Sequence, residues 1–514
     1  FDAAETMKVP GVEKVVEIPA VTEPVEFQAL GGIAVVATNT WAAVEGRKRL
    51  KVEWALGPNE TYESGAYRKA LEATAAKPGD IRRKEGDIDA AFAKAGKVVE
   101  ATYWSPHFVH APMEVPAAVA DVKADKAEVW ACCQDGQALR KTAAAAIAMD
   151  PANVTAHVTL LGGAFGRKSK PDFGAEAAIV SKAIGAPVKV SWTREDDVRN
   201  GYYHAAAAQH VRAAVGEDGM PTAWCHRSVF PSIMSIFVAG QKKPDTWEVD
   251  FGLTDLPYNV PNICLETGEA PAHVRVGWKR SVQNIFHAFA IDSFVDELAE
   301  AAGRDRVEYL LALIGPPRRI DLAAAGVKDY FNYDNSVETY PIDTGRLSNV
   351  VKLAAEKSGW SQKPGERRGM GIAAHRSFLS YVATVVEAEV AADGTVSIPR
   401  VTMAVDAGTV VNPDRVTAQM EGACIYAMSA AFFGEITAKN GVIQQHNFDD
   451  YPVARMANAP RRIEVHLVES EAPPGGVGEP GVPPFAPALC NAIFAATGKR
   501  VRSLPIVHED LKAI

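Results

Sequence analysis

Cysteine is scarce in this chain, and its spacing fits no familiar metal site. Six cysteines occur among 514 residues, namely Cys132, Cys133, Cys225, Cys264, Cys424 and Cys490. They form no Cys-x-x-Cys pair and no zinc-finger or iron–sulfur spacing, so buried free thiols are the simplest interpretation. The twelve histidines form no His-Glu-x-x-His motif, which would place two zinc ligands on one helix face. No metal held by protein side chains is predicted.

An excess of basic charge and long apolar runs are also lacking. The chain has 54 Lys and Arg residues against 63 Asp and Glu residues, a formal net charge of −9. The basic residues are scattered, whereas nucleic-acid binding needs them on one face, which argues against a nucleic-acid partner. No apolar run approaches the roughly 20 residues of a membrane-spanning helix. The chain starts at Phe1, and we expect it to begin inside a longer protein or after a processing cut.

Glycine and proline, in contrast, are plentiful. The 40 Gly and 32 Pro residues indicate many tight turns and favour an α+β protein over a helical bundle. Three pairs that adopt positive φ easily stand between strand-like runs and predict β-hairpins, namely Asp218-Gly219, Asp393-Gly394 and Asn440-Gly441. We therefore expect antiparallel or mixed sheets. A chain of 514 residues is also too long to form a single hydrophobic core, so several domains are expected.

Helical periodicity predicts three helices that bear on the motifs below. One runs through Ile291–Leu298, with acidic residues on its other faces and Gly303 as its stop signal. A second spans Gly174–Ile184 and stops at Gly185. A third is predicted over Pro487–Thr497.

The first motif with chemical potential is a glycine-rich loop, Gly162-Gly163-Ala164-Phe165-Gly166-Arg167. It lies between a predicted strand and the predicted helix at Gly174. Glycines let the backbone approach a ligand closely, and free N–H groups there can face an anion. The loop is not a P-loop, because no Gly-Lys-Ser/Thr closes it. A tight strand-to-helix turn without a ligand is the alternative interpretation.

Glu479 stands in a second glycine-rich segment, Gly476–Gly481, which matches the dinucleotide pattern Gly-x-Gly-x-x-Gly. Prolines on both sides disfavour the strand and the immediate helix that this fingerprint requires, which argues against a nicotinamide or flavin site. A single carboxylate in a stiff Gly/Pro frame remains. Such a carboxylate suits a general base, because its position and desolvation are both fixed. A solvated loop acid is the plain alternative.

Three further polar motifs are ambiguous when taken alone. Gln134 precedes a predicted helix, and its amide offers a donor and an acceptor, although helix capping is the commoner role. Arg280 suits either an anion or a surface ion pair. Gln419, Glu421 and Gly422 belong to a Gln-Met-Glu-Gly segment, whose polar groups suit a nucleotide-like cofactor or simply begin a helix.

The order of these motifs resembles the molybdenum-binding part of the xanthine oxidase family. It runs from Gln134 through the glycine loop, Arg280 and Gln419 to Glu479. In particular, it is similar to the large subunits of isoquinoline 1-oxidoreductase and of membrane-associated molybdenum aldehyde dehydrogenases. Supporting stretches lie at residues 110–114, 192–197 and 491–498, so the similarity extends over nearly the whole chain.

The resemblance implies a molybdopterin cofactor in its cytosine dinucleotide form, with a molybdenum that carries oxo and sulfido ligands and is held through the pterin. Glu479 is implied to be the catalytic base, Gln134 to hydrogen-bond the oxo ligand, and Arg280 to face the substrate. The sequence around Arg280 departs from the family pattern, and Ala164 replaces a common glycine. The implied cofactor-binding residues are Gly162, Gly163, Ala164, Phe165, Gly166, Arg167, Gln419, Glu421, Gly422 and Gly478.

The implied architecture is a multi-domain α+β large subunit with mixed and antiparallel sheets. Residues 1–56 resemble the end of a hammerhead-like α/β domain, residues 57–325 a first molybdopterin-binding domain, and residues 326–514 a second one that carries Glu479. A Met-Gly-Gln-Gly type segment that contacts the cofactor in this family is absent from the 514 residues. We expect it to belong to another polypeptide or to a missing part of this one.

Electron transfer is implied to need partners. Oxidation at molybdenum releases two electrons, and this chain has no cluster-binding cysteines, so a small subunit with two-iron, two-sulfur clusters is the implied partner, with cytochrome c as a candidate acceptor. Family relatives that pass electrons to cytochromes are often exported, so a periplasmic or membrane-associated location is expected rather than a cytoplasmic one. The substrate class stays open between aldehydes and N-heteroaromatics. A cofactor-free assembly subunit that retains the fold is the main alternative function.

Overall fold

The computed structural model describes residues 1–361 and 365–513 as a mixture of strands and helices. Its strands are Val12–Ile18 (β1), Gly32–Ala37 (β2), Asp80–Glu85 (β3), Lys97–Ser105 (β4), Ala117–Val122 (β5), Ala127–Ala131 (β6), Val154–Val158 (β7), Val188–Ser191 (β8), Ala207–Val215 (β9), Pro221–Val229 (β10), Ile263–Thr267 (β11), Arg368–Ser377 (β12), Ser380–Val390 (β13), Val396–Asp406 (β14), Ala438–Lys439 (β15), Val442–Ile443 (β16) and Ile463–Leu467 (β17).

The α-helices lie between and against these strands. They are Thr40–Arg49 (α1), Ser64–Ala75 (α2), Ile88–Ala93 (α3), Gly136–Ala146 (α4), Asp172–Ile184 (α5), Arg194–Asn200 (α6), Thr246–Val249 (α7), Asn284–Ala301 (α8), Arg306–Ile314 (α9), Thr344–Ser358 (α10), Pro413–Phe433 (α11) and Phe485–Thr497 (α12). None of the helices in the described ranges is both long and apolar enough to cross a bilayer.

A four-stranded sheet forms the platform beneath the glycine-rich loop. Its order is β7-β6-β5-β8, with β6 and β7 parallel and the other pairs antiparallel. Helices α4 and α5 pack on it, and Leu139, Phe173 and Val129 are fully buried between the layers. Gly174 allows this approach, because a Cβ there would lie 2.4 Å from the Leu139 Cδ1 atom. Since β7 leads into the loop and α5 follows it, this platform sets the position of the loop.

A second four-stranded sheet positions the segment that carries Glu479. Its order is β12-β13-β14-β17, with β14 and β17 parallel and the first three strands antiparallel. Helix α12 lies directly on β12, because Gly369 and Gly371 leave room for its backbone. A Cβ at Gly371 would lie 2.2 Å from the Ala488 carbonyl oxygen. Glu479 therefore sits in the connection between strand β17 and a rigidly packed helix.

The largest sheet has the order β3-β11-β10-β9-β4 and is mixed, since β10 and β11 run parallel and the other pairs run antiparallel. Helix α8 covers one face of this sheet. There the Trp224 ring contacts the Phe294 ring, with centroids 5.1 Å apart. Residues 1–56 form the antiparallel pair β1–β2 with α1 packed against it. Their assignment as a hammerhead-like remnant stays a prediction.

These sheets confirm the α+β class with mixed and antiparallel sheets. All three predicted hairpins form, as β9–β10, β13–β14 and β15–β16. The last is a two-residue turn in which Asn440 and Gly441 have φ values of 50° and 73°, as a hairpin of this type requires. The three predicted helices are α5, α8 and α12.

Helix α8 is more deeply buried than its sequence pattern predicted. Asp296 and Glu297 are buried rather than solvated. They accept hydrogen bonds from Arg500 Nη1 at 2.5 Å and Arg502 Nη2 at 2.6 Å. The C-terminal segment is thereby attached to a helix of the first predicted molybdopterin-binding domain. The largest hydrophobic core likewise contains residues from both sides of position 325. The predicted domain boundaries stay predictions.

Candidate active site

The glycine-rich loop has a backbone that only glycine adopts freely. Gly163 and Gly166 have φ values of 93° and 100°, and Phe165 between them has a φ of 55°. A Cβ at Gly166 would lie 2.6 Å from the Trp278 carbonyl oxygen. Glycine is therefore required at this position both by conformation and by close packing. The loop is held against the segment that leads to Arg280.

Gln134 contacts this loop through its side chain. Its Oε1 atom accepts a hydrogen bond from the Gly166 amide at 3.0 Å. The predicted capping role belongs instead to Asp135, whose carboxylate accepts from the amides of Gln137 and Ala138 at the start of α4. With its oxygen engaged, the exposed Gln134 side chain has its NH2 group left as a donor.

Arg280 connects three of the predicted motifs. Its amide donates to the Phe165 carbonyl at 3.0 Å. Its Nε donates to the Gly478 carbonyl at 2.7 Å, and its Nη2 donates to both the carbonyl and the side-chain oxygen of Gln419 at 3.0 Å. Together with the contact between Gln134 and Gly166, these bonds join all five motifs at one place, which we call the motif junction.

The side chain of Arg280 makes its hydrogen bonds within the protein, and its predicted role in facing the substrate stays a prediction. Two of its guanidinium nitrogens are committed to Gly478 and Gln419, and the residue is 8% exposed. Its third nitrogen, Nη1, faces Gly422. The fork geometry of arginine suits this bridging of two backbone segments. In this structure Arg280 fixes the segment that carries Glu479.

Glu479 lies half-buried at the motif junction. Its carbonyl accepts a hydrogen bond from the Ser281 hydroxyl at 2.7 Å. Burial raises the pKa of the Glu479 carboxyl to about 7, although a hydrogen bond from the Ser281 backbone and the charges of Arg280 and Lys170 act in the opposite direction. A carboxyl with such a pKa exchanges a proton near neutral pH, as a general base must.

A buried basic cluster supports the loop from behind. Arg167, Lys168 and Lys170 are all fully buried. Arg167 pairs with Asp172 at 2.9 Å, so its side chain is held in the protein interior, and its role in cofactor binding stays a prediction. Lys168 donates to Glu114 Oε2 at 2.6 Å. The cluster thereby anchors the loop to the start of α5 and to the segment before β5.

Lys170 links the loop to the Arg280 segment. Its Nζ donates to the Gly166 carbonyl at 2.6 Å and to the Trp278 carbonyl at 3.0 Å. Burial lowers its pKa well below the ordinary value, and the charge of Arg167 lowers it further. Its ammonium group is thus held by two carbonyl oxygens, close enough to Glu479 to influence its pKa.

The remaining predicted residues lie at the surface of the junction. Gln419, Glu421 and Gly422 are exposed on α11, and Gly478 is exposed beside Glu479. A Cβ at Gly478 would meet no atom within 4 Å. Gly162 is exposed as well, and its amide donates to Glu114 Oε2 at 2.8 Å. These residues are therefore accessible to a ligand from solvent.

Family models match the chain along most of its length. Residues 72–311 match a molybdopterin cofactor-binding domain, and residues 318–460 match a second domain of the same description. The chain belongs to the xanthine oxidase family of molybdopterin-binding proteins. Molybdopterin binding, which the motif order implied, is thereby supported for this chain.

Known relatives of this chain include two curated proteins. Isoquinoline 1-oxidoreductase subunit beta of Brevundimonas diminuta is 31% identical over 98% of the chain. The membrane-bound aldehyde dehydrogenase (pyrroloquinoline-quinone) of Gluconacetobacter polyoxogenes is 29% identical over 99% of it. The chain spans 62% and 66% of the lengths of these two relatives. The crystal structure of quinoline 2-oxidoreductase from Pseudomonas putida 86 has the same fold, with a TM-score of 0.76, 15% identity and coverage of 99% of this chain and 91% of that one.

Sequence reasoning missed several residues of the motif junction. Lys170 belongs to a run of basic residues that reads as a solvated turn. Tyr426 lies seven residues after Gln419 on α11, and its ring contacts the Phe165 ring with centroids 4.8 Å apart. Ser281 directly follows Arg280. The helical spacing of Tyr426 from Gln419 was a usable signal, because positions seven apart share a helix face.

Proposed function

We propose that this chain supplies the catalytic base and much of the cofactor-binding surface of a hydroxylase. The reaction is the oxidation of aldehydes to carboxylic acids, or the hydroxylation of N-heteroaromatic compounds at an electron-poor carbon. One observation carries the proposal. Glu479 is a half-buried carboxyl with a pKa near 7 at the place where all five motifs meet.

The unpaired donor groups at the junction fit a molybdopterin cofactor. Among the described residues, no acceptor pairs with the backbone amides of Gly163, Ala164 and Phe165. The Gln134 NH2 group is likewise available as a donor. A ligand rich in oxygen and sulfur acceptors suits such donors. When bound, the molybdenum cofactor supplies the two-electron redox centre and the oxygen atom that enters the substrate.

In the proposed reaction the chain's own residues position and move a proton. Glu479 accepts the proton through its carboxylate, so it must be ionised before turnover. Arg280 and Ser281 hold its backbone through Gly478 and its own carbonyl. Arg280 and Lys170 also favour the ionised carboxylate electrostatically. We assign Arg280 and Lys170 as positioning residues for the base.

The electrons are proposed to leave through a partner. The six cysteines are all buried. Except for the pairs Cys132–Cys133 and Cys225–Cys264, they lie apart from one another. The described residues therefore offer no four-cysteine cluster site. We propose a small subunit with two-iron, two-sulfur clusters, a cytosine dinucleotide form of the cofactor, and cytochrome c as a candidate acceptor. The second relative is named membrane-bound, which supports a periplasmic or membrane-associated location, testable by cell fractionation.

The substrate class is proposed from the relatives' names, which include both an aldehyde dehydrogenase and an isoquinoline oxidoreductase. The test is a substrate panel on the purified native complex with an artificial electron acceptor, accompanied by elemental analysis for molybdenum. We expect one molybdenum per chain and turnover of one of the two classes. A fully assembled complex that contains no molybdenum would contradict the proposal and support the assembly-subunit alternative.

A further inference from the structure

Two cysteines that are far apart in sequence become direct neighbours in the largest sheet. Cys225 of β10 and Cys264 of β11 occupy the same position in a parallel ladder. Both side chains lie on the sheet face away from α8, in a small apolar cluster with Ile88 and Phe92 of the α3 helix. Each is 5% exposed. Their neighbour Trp224 points to the opposite face, where it contacts the α8 helix.

A carboxylate completes this cluster. Glu266 lies two residues after Cys264 on β11, so its side chain is on the same face, and it is 6% exposed. The two sulfur atoms and a Glu266 oxygen all lie within 4.8 Å of one another. Cys264 Sγ lies 3.5 Å from Glu266 Oε1. The other carboxylate oxygen, Oε2, accepts a hydrogen bond from Arg227 Nε.

We propose that Cys225, Cys264 and Glu266 form a binding site for a thiophilic divalent cation, for which zinc is the best fit. Two thiolates and one carboxylate are ligands that zinc prefers, with the fourth tetrahedral position left for water. Two thiolates bound tetrahedrally to zinc at about 2.3 Å lie about 3.8 Å apart, a separation that the 4.8 Å limit accommodates. Arg227 donates a hydrogen bond to the Glu266 carboxylate, as a donor that orients a ligating carboxylate does.

Zinc accounts for this arrangement better than a disulfide does. A disulfide would use only the two sulfur atoms, whereas a carboxylate oxygen of Glu266 also lies within 4.8 Å of both of them.

The charge balance of the cluster is preserved when the cation binds. Without metal, the two thiols are neutral and the Glu266 carboxylate is balanced by Arg227. Binding of one Zn²⁺ displaces one proton from each thiol, so two positive charges enter as two protons leave. The cation would join β10 to β11 covalently through its ligands. The site lies on the sheet face away from α8 and is separate from the motif junction.

The test is zinc binding by the full chain in its native complex. After equilibrium dialysis at nanomolar free zinc, we expect one zinc per chain by elemental analysis. Zinc-edge X-ray absorption should show two sulfur ligands at about 2.3 Å. The variants Cys225→Ser and Cys264→Ser should each weaken zinc binding by about 100-fold or more, and Glu266→Gln by about 10-fold or more.

The control variant is Cys490→Ser, because Cys490 is an equally buried thiol on α12 outside the cluster. It should retain zinc binding. If the cluster variants fail to fold, the absorption spectrum of the unmodified chain decides alone. Zinc bound without sulfur ligands, no zinc bound at all, or a Cys225–Cys264 disulfide found by mass spectrometry would each overturn the proposal.

Discussion

Replacing Arg280 by methionine tests whether this residue positions the base or binds the substrate. The variant Arg280→Met keeps the backbone hydrogen bond to Phe165 but removes the three side-chain hydrogen bonds to Gly478 and Gln419. It also removes a positive charge that lowers the pKa of Glu479. Since the ionised carboxylate loses this stabilisation, the pKa of Glu479 must rise in the variant.

The size of the effect follows from these contacts. An opposite charge within reach of a carboxyl lowers its pKa by roughly 1–3, and Arg280 shares this influence with Lys170. The rising limb of kcat/KM should therefore move from near pH 7 to about pH 8 or above. Loss of hydrogen bonds from a charged donor should also lower the free energy of unfolding by about 3 kcal/mol.

The assay is kcat/KM against pH with an artificial electron acceptor, because this ratio reports ionisations of the unliganded enzyme. Arg82→Met is the matched control. Arg82 makes two bonds to the buried carboxylate of Asp250 at 2.9 and 2.7 Å, so its loss is also destabilising but should leave the pH profile unchanged. An unchanged profile in Arg280→Met, with KM raised instead, would refute the positioning role and restore the substrate-binding interpretation.

Four substitutions separate backbone requirements from ligand contacts. Gly166→Ala should lower the free energy of unfolding by about 2 kcal/mol or more, since the position has a φ of 100° and lacks room for a Cβ; equal thermal stability would contradict this. In Gly478→Ala the added Cβ meets no atom, so the free energy of unfolding should change by less than about 0.5 kcal/mol, while the molybdenum content should fall. In Gly371→Ala the added Cβ would lie 2.2 Å from the Ala488 carbonyl oxygen, so the chain should not fold stably. Normal molybdenum content in Gly478→Ala would remove that glycine from the cofactor surface. Gln134→Glu keeps an acceptor for the Gly166 amide but removes the NH2 donor, so it should fold normally and lose about 10-fold or more in turnover; wild-type turnover would exclude Gln134 from ligand binding.

Local signals in the sequence predicted local structure well. Asn440-Gly441 forms the expected two-residue turn because both residues adopt positive φ easily. Helix α5 ends at Gly185 in the left-handed conformation, as glycine at a helix C-terminus predicts. Each of these features depends on a few neighbouring residues, so no tertiary contact was needed to infer it.

Side-chain partners across the fold were harder to predict. The guanidinium of Arg280 bonds to Gly478, almost 200 positions later in the chain, and no local pattern around Arg280 indicates this contact. Lys170 belongs to a strongly basic run but is fully buried, because two carbonyl oxygens hold its ammonium group. Such roles depend on which segments meet, and hydrophobic periodicity carries no information about that.

The cysteine pair shows the same limit. Cys225 and Cys264 are too far apart in sequence to match a metal motif, and free thiols were the simplest interpretation. The parallel register of β10 and β11 places them opposite each other. Strand order and register are tertiary properties, so only the folded sheet reveals the cluster with Glu266.

The most direct test of the account is the turnover of Glu479→Gln in the native complex, measured together with molybdenum content. Because the amide cannot accept the proton, turnover should fall by at least about 100-fold while molybdenum content equals that of the wild type. Glu469→Gln, the same change at an exposed acid in the preceding segment, should leave turnover unchanged. Turnover by Glu479→Gln within about threefold of wild type, at equal molybdenum content, would contradict the assignment of Glu479 as the base.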